Sequence, residues 1–146
     1  MSFRKKKEGS IISADLEEKE VKIYYIYKTV MEDELDEELL YKKAYSYIAE
    51  NEEYDVVCFR DNMWFGISEL CKTCVYIDFD DDQNLDFTSI YKFLDKRRWK
   101  LKSAFSFLEN NYSKIILTST KPPNSFFQDN RKWQAIIKTF TVVSLD

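Results

Sequence analysis

Five carboxylates crowd the nine residues Asp78-Phe79-Asp80-Asp81-Asp82-Gln83-Asn84-Leu85-Asp86. Oxygen ligands at that density are what a hard divalent cation requires. Asp78, Asp80, Asp82 and Asp86 fall at relative positions 1, 3, 5 and 9 of a calcium-loop spacing. Gln83 stands where such a loop has Gly, and Ser89 where it has a bidentate Glu. These four aspartates are the candidate metal ligands of the chain, and the alternative function they would serve is a metal-dependent phosphoryl-transfer or nuclease-like enzyme. The plainer alternative is a solvated acidic turn in which Asp86 caps the next helix.

Two further constellations bear on chemistry. Cys71-Lys72-Thr73-Cys74 is a CxxC pair, but Cys58 is the only other thiol and His is absent. Four-ligand structural zinc therefore lacks its donors, and the pair reads as ordinary thiols at the start of a strand. Lys96-Arg97-Arg98-Trp99-Lys100-Leu101-Lys102 interleaves cations with an aromatic. That mixture suits phosphates and unstacked bases, so Arg97, Arg98 and Trp99 are the candidates for an RNA-binding module. A solvated helix face has the same composition, and the net charge of −4 weighs against direct nucleic-acid binding.

The Asp78-x-Asp80 pair at the end of a predicted strand resembles the first motif of haloacid-dehalogenase-like phosphotransferases. The strand ending Thr118-Ser119-Thr120 resembles their second. The resemblance implies a magnesium-dependent phosphoryl transfer with Asp78 as nucleophile and Asp80 as acid/base.

Other enzyme classes are excluded by what the chain lacks. With no His there is no Ser-His-Asp, Cys-His or HExxH site. The two glycines, Gly9 and Gly66, are isolated. Dinucleotide fingerprints and P-loops need clustered glycines, so neither is present. No catalytic residue and no cofactor is expected on the preferred reading.

That reading starts from charge. Residues 31–86 hold 17 of the 26 acidic side chains against 4 basic ones, a local net of −13, whereas residues 87–146 carry a net of +7. An asymmetry of this size selects partners and speeds their arrival. Glu34, Asp36, Glu37, Asp80, Asp81 and Asp82 are the expected contact residues of one acidic surface. The expected function is non-enzymatic inhibition of a basic protein partner: an immunity protein against a nuclease-type toxin, or a phage anti-defence protein. Abundant Tyr and Trp suit such an interface.

The elements that must position these residues follow from periodicity. Val21–Val30 is dense in β-branched and aromatic residues and predicts a strand. Residues 32–50 predict a helix, with Leu40, Ala44, Tyr47 and Ile48 on one face and acidic residues in its first turns. Asp61-Asn62 predicts a hairpin between Tyr54–Arg60 and Met63–Ser68. Cys74–Phe79 and Lys114–Thr120 predict strands, the former a central one. Phe87 to Leu108 repeats apolar residues at helical spacing, with a break expected near Lys96–Arg98. The chain should end in a strand preceded by one helical turn.

The expected fold is α+β: a single mixed, mainly antiparallel sheet of five or six strands with two main helices packed on it. Residues 1–9 read as a basic tail and 10–146 as one domain. No apolar run reaches the roughly 18 residues a membrane helix needs. Three cysteines fit a reducing compartment, so a cytoplasmic location is expected.

Overall fold

A computed structural model describes residues 16–82 and 84–146. The basic tail, and a short strand expected from the sequence at Ile11-Ile12, fall outside these residues. In chain order the described elements are β1 (Lys22–Tyr27), α1 (Glu34–Tyr45), β2 (Tyr54–Val56), β3 (Cys58–Arg60), β4 (Met63–Phe65) and β5 (Thr73–Tyr76). They continue with α2 (Phe87–Leu94), β6 (Lys100–Lys102), β7 (Phe107–Glu109), β8 (Lys114–Ser119), α3 (Arg131–Ile137) and β9 (Thr141–Ser144).

Five strands form one sheet in the order β2-β5-β8-β1-β9, and every pairing in it is parallel. This overturns the expected mainly antiparallel single sheet. Three helices rather than two pack on it, and two antiparallel hairpins, β3–β4 and β6–β7, stand apart as small sheets of their own. The physical reason is connection length. Neighbouring parallel strands need a long crossover, and α1, α2 and α3 fall within those crossovers. The antiparallel signal at Asp61-Asn62 is real, since both residues have positive φ and form the tight turn of β3–β4. It simply lies outside the main sheet.

Side chains alternate across the inner strands. Ile23 and Tyr25 of β1, Cys74 and Tyr76 of β5, and Ile115 and Leu117 of β8 join the larger core with Ile90, Phe93 and Trp133. Ile26, Val75 and Ile116 point the other way, onto Leu40 and Ala44 of α1. So α1 covers one face while α2 and α3 cover the other. β5 is buried along its whole length, which is why its polar/apolar alternation fails in the sequence.

The helical periodicity read over Phe87 to Leu108 is helix only in its first part. α2 ends at Leu94, and Leu101 and Leu108 are opposite each other across the β6–β7 ladder. A seven-residue spacing fits two turns of helix, but it equally fits a cross-strand pair joined by a short loop. The expected break near Lys96–Arg98 is correct, and the segment beyond it is a hairpin. The C-terminus holds both α3 and β9, so the helical turn and the strand were each part of the answer.

Candidate functional site: the carboxyl edge of the sheet

The strands run parallel, so the segments leaving β1, β5 and β8 emerge at one edge. The chain leaves β1 towards α1 on one face, while that leaving the adjacent β8 runs to α3 on the other. A crevice between strands that diverge in this way is where parallel sheets usually hold ligands. The acidic turn after β5 lies beside it.

Each aspartate of that turn has a separate task. Asp78 takes left-handed backbone angles (φ 51°, ψ 50°) and leads into a single 3-10 turn over Phe79–Asp81. Its amide donates to Thr118 Oγ1 at 2.7 Å, and its Oδ2 accepts from Tyr41 Oη of α1 at 2.7 Å. Asp80 Oδ2 accepts from Thr120 Oγ1 at 2.6 Å. Asp80 Oδ1 is buried without a hydrogen-bond partner among the described residues. Asp82 turns inward, taking a hydrogen bond from the Tyr76 hydroxyl and another from the Phe59 amide. Asp86 caps α2 by accepting from the Ser89 amide at 2.9 Å. Asp81 is exposed.

The four candidate metal ligands therefore diverge. Asp82 and Asp86 are spent on the interior and on a helix cap. Among the described residues no group of three or more His, Cys, Asp or Glu side chains is disposed to hold a metal ion. The phosphotransferase resemblance finds its two segments side by side, Asp78 in the turn just after β5 and Thr118 on the adjacent parallel β8. Yet Asp78 and Asp80 are both engaged by protein hydroxyls.

Phosphate binding at this edge meets a second obstacle. The start of a helix following a parallel strand is a common phosphate cradle, because its free amides point outward. At α1 those amides are occupied. Asp33 Oδ1 accepts from the Leu35 and Asp36 amides, and Asp36 Oδ2 accepts from the Glu32 and Asp33 amides. This reciprocal capping box places carboxylates where a phosphate would sit. The Glu32 amide hydrogen bond, aided by Lys28 at 3.5 Å, keeps the Asp36 carboxyl below its usual range.

Of the six expected contact residues, Asp36, Asp80 and Asp82 hold the fold together, while Glu34, Glu37 and Asp81 are exposed. Tyr41 links the two acidic groups. Burial and then the hydrogen bond to Asp78 push its phenol above the normal range, with Glu37 and Asp81 adding to the shift. Partial burial, then Asp80, Asp78 and Asp82, raise the Asp81 carboxyl. All its charged neighbours that act strongly are of like sign.

Arg97, Arg98 and Trp99 are likewise committed to structure. Arg97 Nε and Trp99 Nε1 both donate to the buried Asp95 Oδ2 at 2.7 Å, and Arg98 Nη1 donates to Asn111 Oδ1 at 2.6 Å. The CxxC thiols and Cys58 are free. Cys74 is fully buried, and burial raises its thiol pKa well above normal. A wide hollow of about 970 Å³ lies at the opposite edge, between the start of β1, the end of α2 and α3. Ile23, Leu94 and Ile136 are among its apolar residues, and it contains none of the acidic turn.

Sequence reasoning missed Tyr41, which carried no signal beyond its place on a helix. Phe105, which falls within the apolar helical repeat read over Phe87 to Leu108, is fully exposed. No family model matches the chain, and no curated protein matches it either. No helix among the described residues is long and apolar enough to cross a membrane.

Proposed function

We propose that this protein is a non-enzymatic binding protein that receives a basic protein partner at the carboxyl edge of its sheet. Inhibition of that partner, as by an immunity or anti-defence protein, is the activity this arrangement would serve. One observation carries the reading: the first turns of α1 and the turn after β5 converge, joined by the Tyr41–Asp78 hydrogen bond. Glu34, Glu37 and Asp81 then make the contacts, and Asp36, Asp80 and Asp82 hold the backbone that presents them. A cationic visitor relieves like-charge repulsion at Asp81, and the occupied amides of α1 disfavour an anionic one. The absence of His supports a role without acid/base catalysis at neutral pH.

Fluorescence anisotropy with a labelled arginine-rich peptide tests this. Binding should weaken steeply with salt. The triple variant Glu34→Gln, Glu37→Gln, Asp81→Asn should bind about tenfold or more weakly, since each exposed charge contributes a few tenths to 1 kcal/mol. Equal affinity in wild type and variant would reject the reading.

A further inference from the structure

The hairpin β6–β7 is unusual in what it shows to solvent. Phe105 at its tip is 100% exposed, and Phe107 is 62% exposed. Lys100 and Lys102 on β6 are exposed as well. The hairpin is anchored rather than loose. Leu101 is buried in the larger core, and Ser103 bridges to Trp64 of the β3–β4 hairpin. Within the tip, Ser103 and Ser106 exchange hydrogen bonds. An aromatic ring held outward on a fixed support keeps an apolar face in water with no folding gain to offset it.

At the base of the hairpin is a cavity of about 150 Å³. Lys92 of α2 and Lys100 and Lys102 of β6 line it, with the Thr88 and Ser89 residues of α2 alongside. Phe107 and Trp64 form part of its walls. The recess has room for a phosphate group beside the three lysines. None of the three lysines makes an ion pair among the described residues. Glu109 is paired opposite Lys100 and the helix-capping Asp86 acts on Lys92, while Asp82 and Asp61 adjoin the lining residues Phe59 and Asn62.

From this juxtaposition we infer that the β6–β7 hairpin and its basal cavity bind single-stranded nucleic acid. Phe105 stacks on an unpaired base, while Lys92, Lys100 and Lys102 take backbone phosphates. Exposed aromatic rings beside a cationic groove are how single strands are held without sequence readout. A duplex hides its base faces, so it gains only the phosphate contacts. The site shares no residue with the carboxyl-edge surface and stands independently of it. It also differs from the Arg97, Arg98 and Trp99 cluster, whose cations are engaged internally.

The test is fluorescence anisotropy at low salt with labelled oligo-dT, oligo-rU and a blunt DNA duplex. Wild type should bind both single strands more tightly than the duplex, and the dT and rU arms show whether a 2′-hydroxyl matters. Phe105→Ala should weaken single-strand binding about tenfold, the effect of losing one stacked base. The Lys100→Gln, Lys102→Gln variant should lower the slope of log affinity against log salt by about 1.4. Both variants change exposed side chains, and unaltered circular dichroism and thermal midpoints confirm that they fold. Undetectable binding by wild type, equal binding by Phe105→Ala, or a preference for duplex would each overturn the inference.

Discussion

Tyr41 and Asp78 are separated by 37 residues, and the 2.7 Å hydrogen bond between them ties the acidic helix to the acidic turn. It fixes α1 over the sheet at the point where β5 ends. Replacing Tyr41 by Phe removes the donor and keeps the ring. A hydrogen bond to a charged acceptor contributes about 1.5–3 kcal/mol when buried. Partial solvent access reduces that, so urea denaturation should show a loss of about 1 kcal/mol. An unchanged midpoint would mean that water replaces the hydroxyl without cost.

Gly66 faces a different constraint. Its φ is +81°, and a Cβ built on it would lie 2.0 Å from the carbonyl oxygen of Val56, which is backbone and cannot rotate aside. Gly66→Ala should therefore destabilise the protein by at least about 2 kcal/mol, combining a strained φ with a displaced edge strand. Thermal unfolding checks this. Ser68→Ala offers a comparison nearby, since it removes only side-chain hydrogen bonds, the one donated to Asp55 and those accepted from the Leu70 and Cys71 amides.

The sequence located most elements, yet it left their assembly open. β5 and β8 read as strands because Cys74–Ile77 and Ile115–Leu117 are continuous apolar runs, and such runs are themselves a mark of buried parallel strands. Strand direction is set by the crossovers, which no local window contains. The β6–β7 hairpin was hidden because Leu101 and Leu108 satisfy helical and hairpin spacing alike. The acidic turn was legible as a cluster of carboxylates. Its internal use was not, because Asp80 pairs with Thr120 and Asp82 with Phe59, partners distant in sequence. Composition predicts how many charges a segment has, and only the fold decides which of them face solvent.

At low pH one ion pair should dominate the loss of stability. Lys114 Nζ donates to Glu52 Oε1 at 2.8 Å and to the Tyr47 carbonyl, and Thr73 also donates to Glu52. The Lys114 hydrogen bond, then that of Thr73, lower the Glu52 pKa from 4.5 to about 2. Its folded pKa is depressed, so the stabilisation is complete above pH 4.5 and disappears as pH falls towards 2. Glu52→Gln should cost about 1–2 kcal/mol at pH 7, discounted for partial exposure, and almost nothing near pH 2. Denaturation curves of both proteins across that range test it, and a gap that persists at pH 2 would reject the assignment.

At high pH two kinds of buried group pull in opposite directions. Lys19 donates to the carbonyls of Tyr112 and Asp95, and burial, followed by the charge of Arg98, lowers its pKa from 10.5 to about 8. Below pH 8 the ammonium is charged in both folded and unfolded chains, and the folded protein bears its desolvation. Between about pH 8 and 10.5 the unfolded chain binds more protons at this position, so stability rises with pH, by on the order of 1–2 kcal/mol once partial solvent screening is discounted. The phenols of Tyr25, Tyr76 and Tyr112 act in reverse, as does the buried thiol of Cys74. Burial, the largest influence on each ring, raises these phenols far above 10, so the unfolded chain loses protons that the folded one keeps. Stability therefore falls as pH climbs through 10. The two effects together give a maximum between about pH 9 and 10, above the range usual for proteins. Lys19→Met should remove the rise between pH 8 and 10 while leaving the fall beyond it. A wild-type profile that declines steadily from pH 7 would show that Lys19 is solvated as an ordinary surface amine.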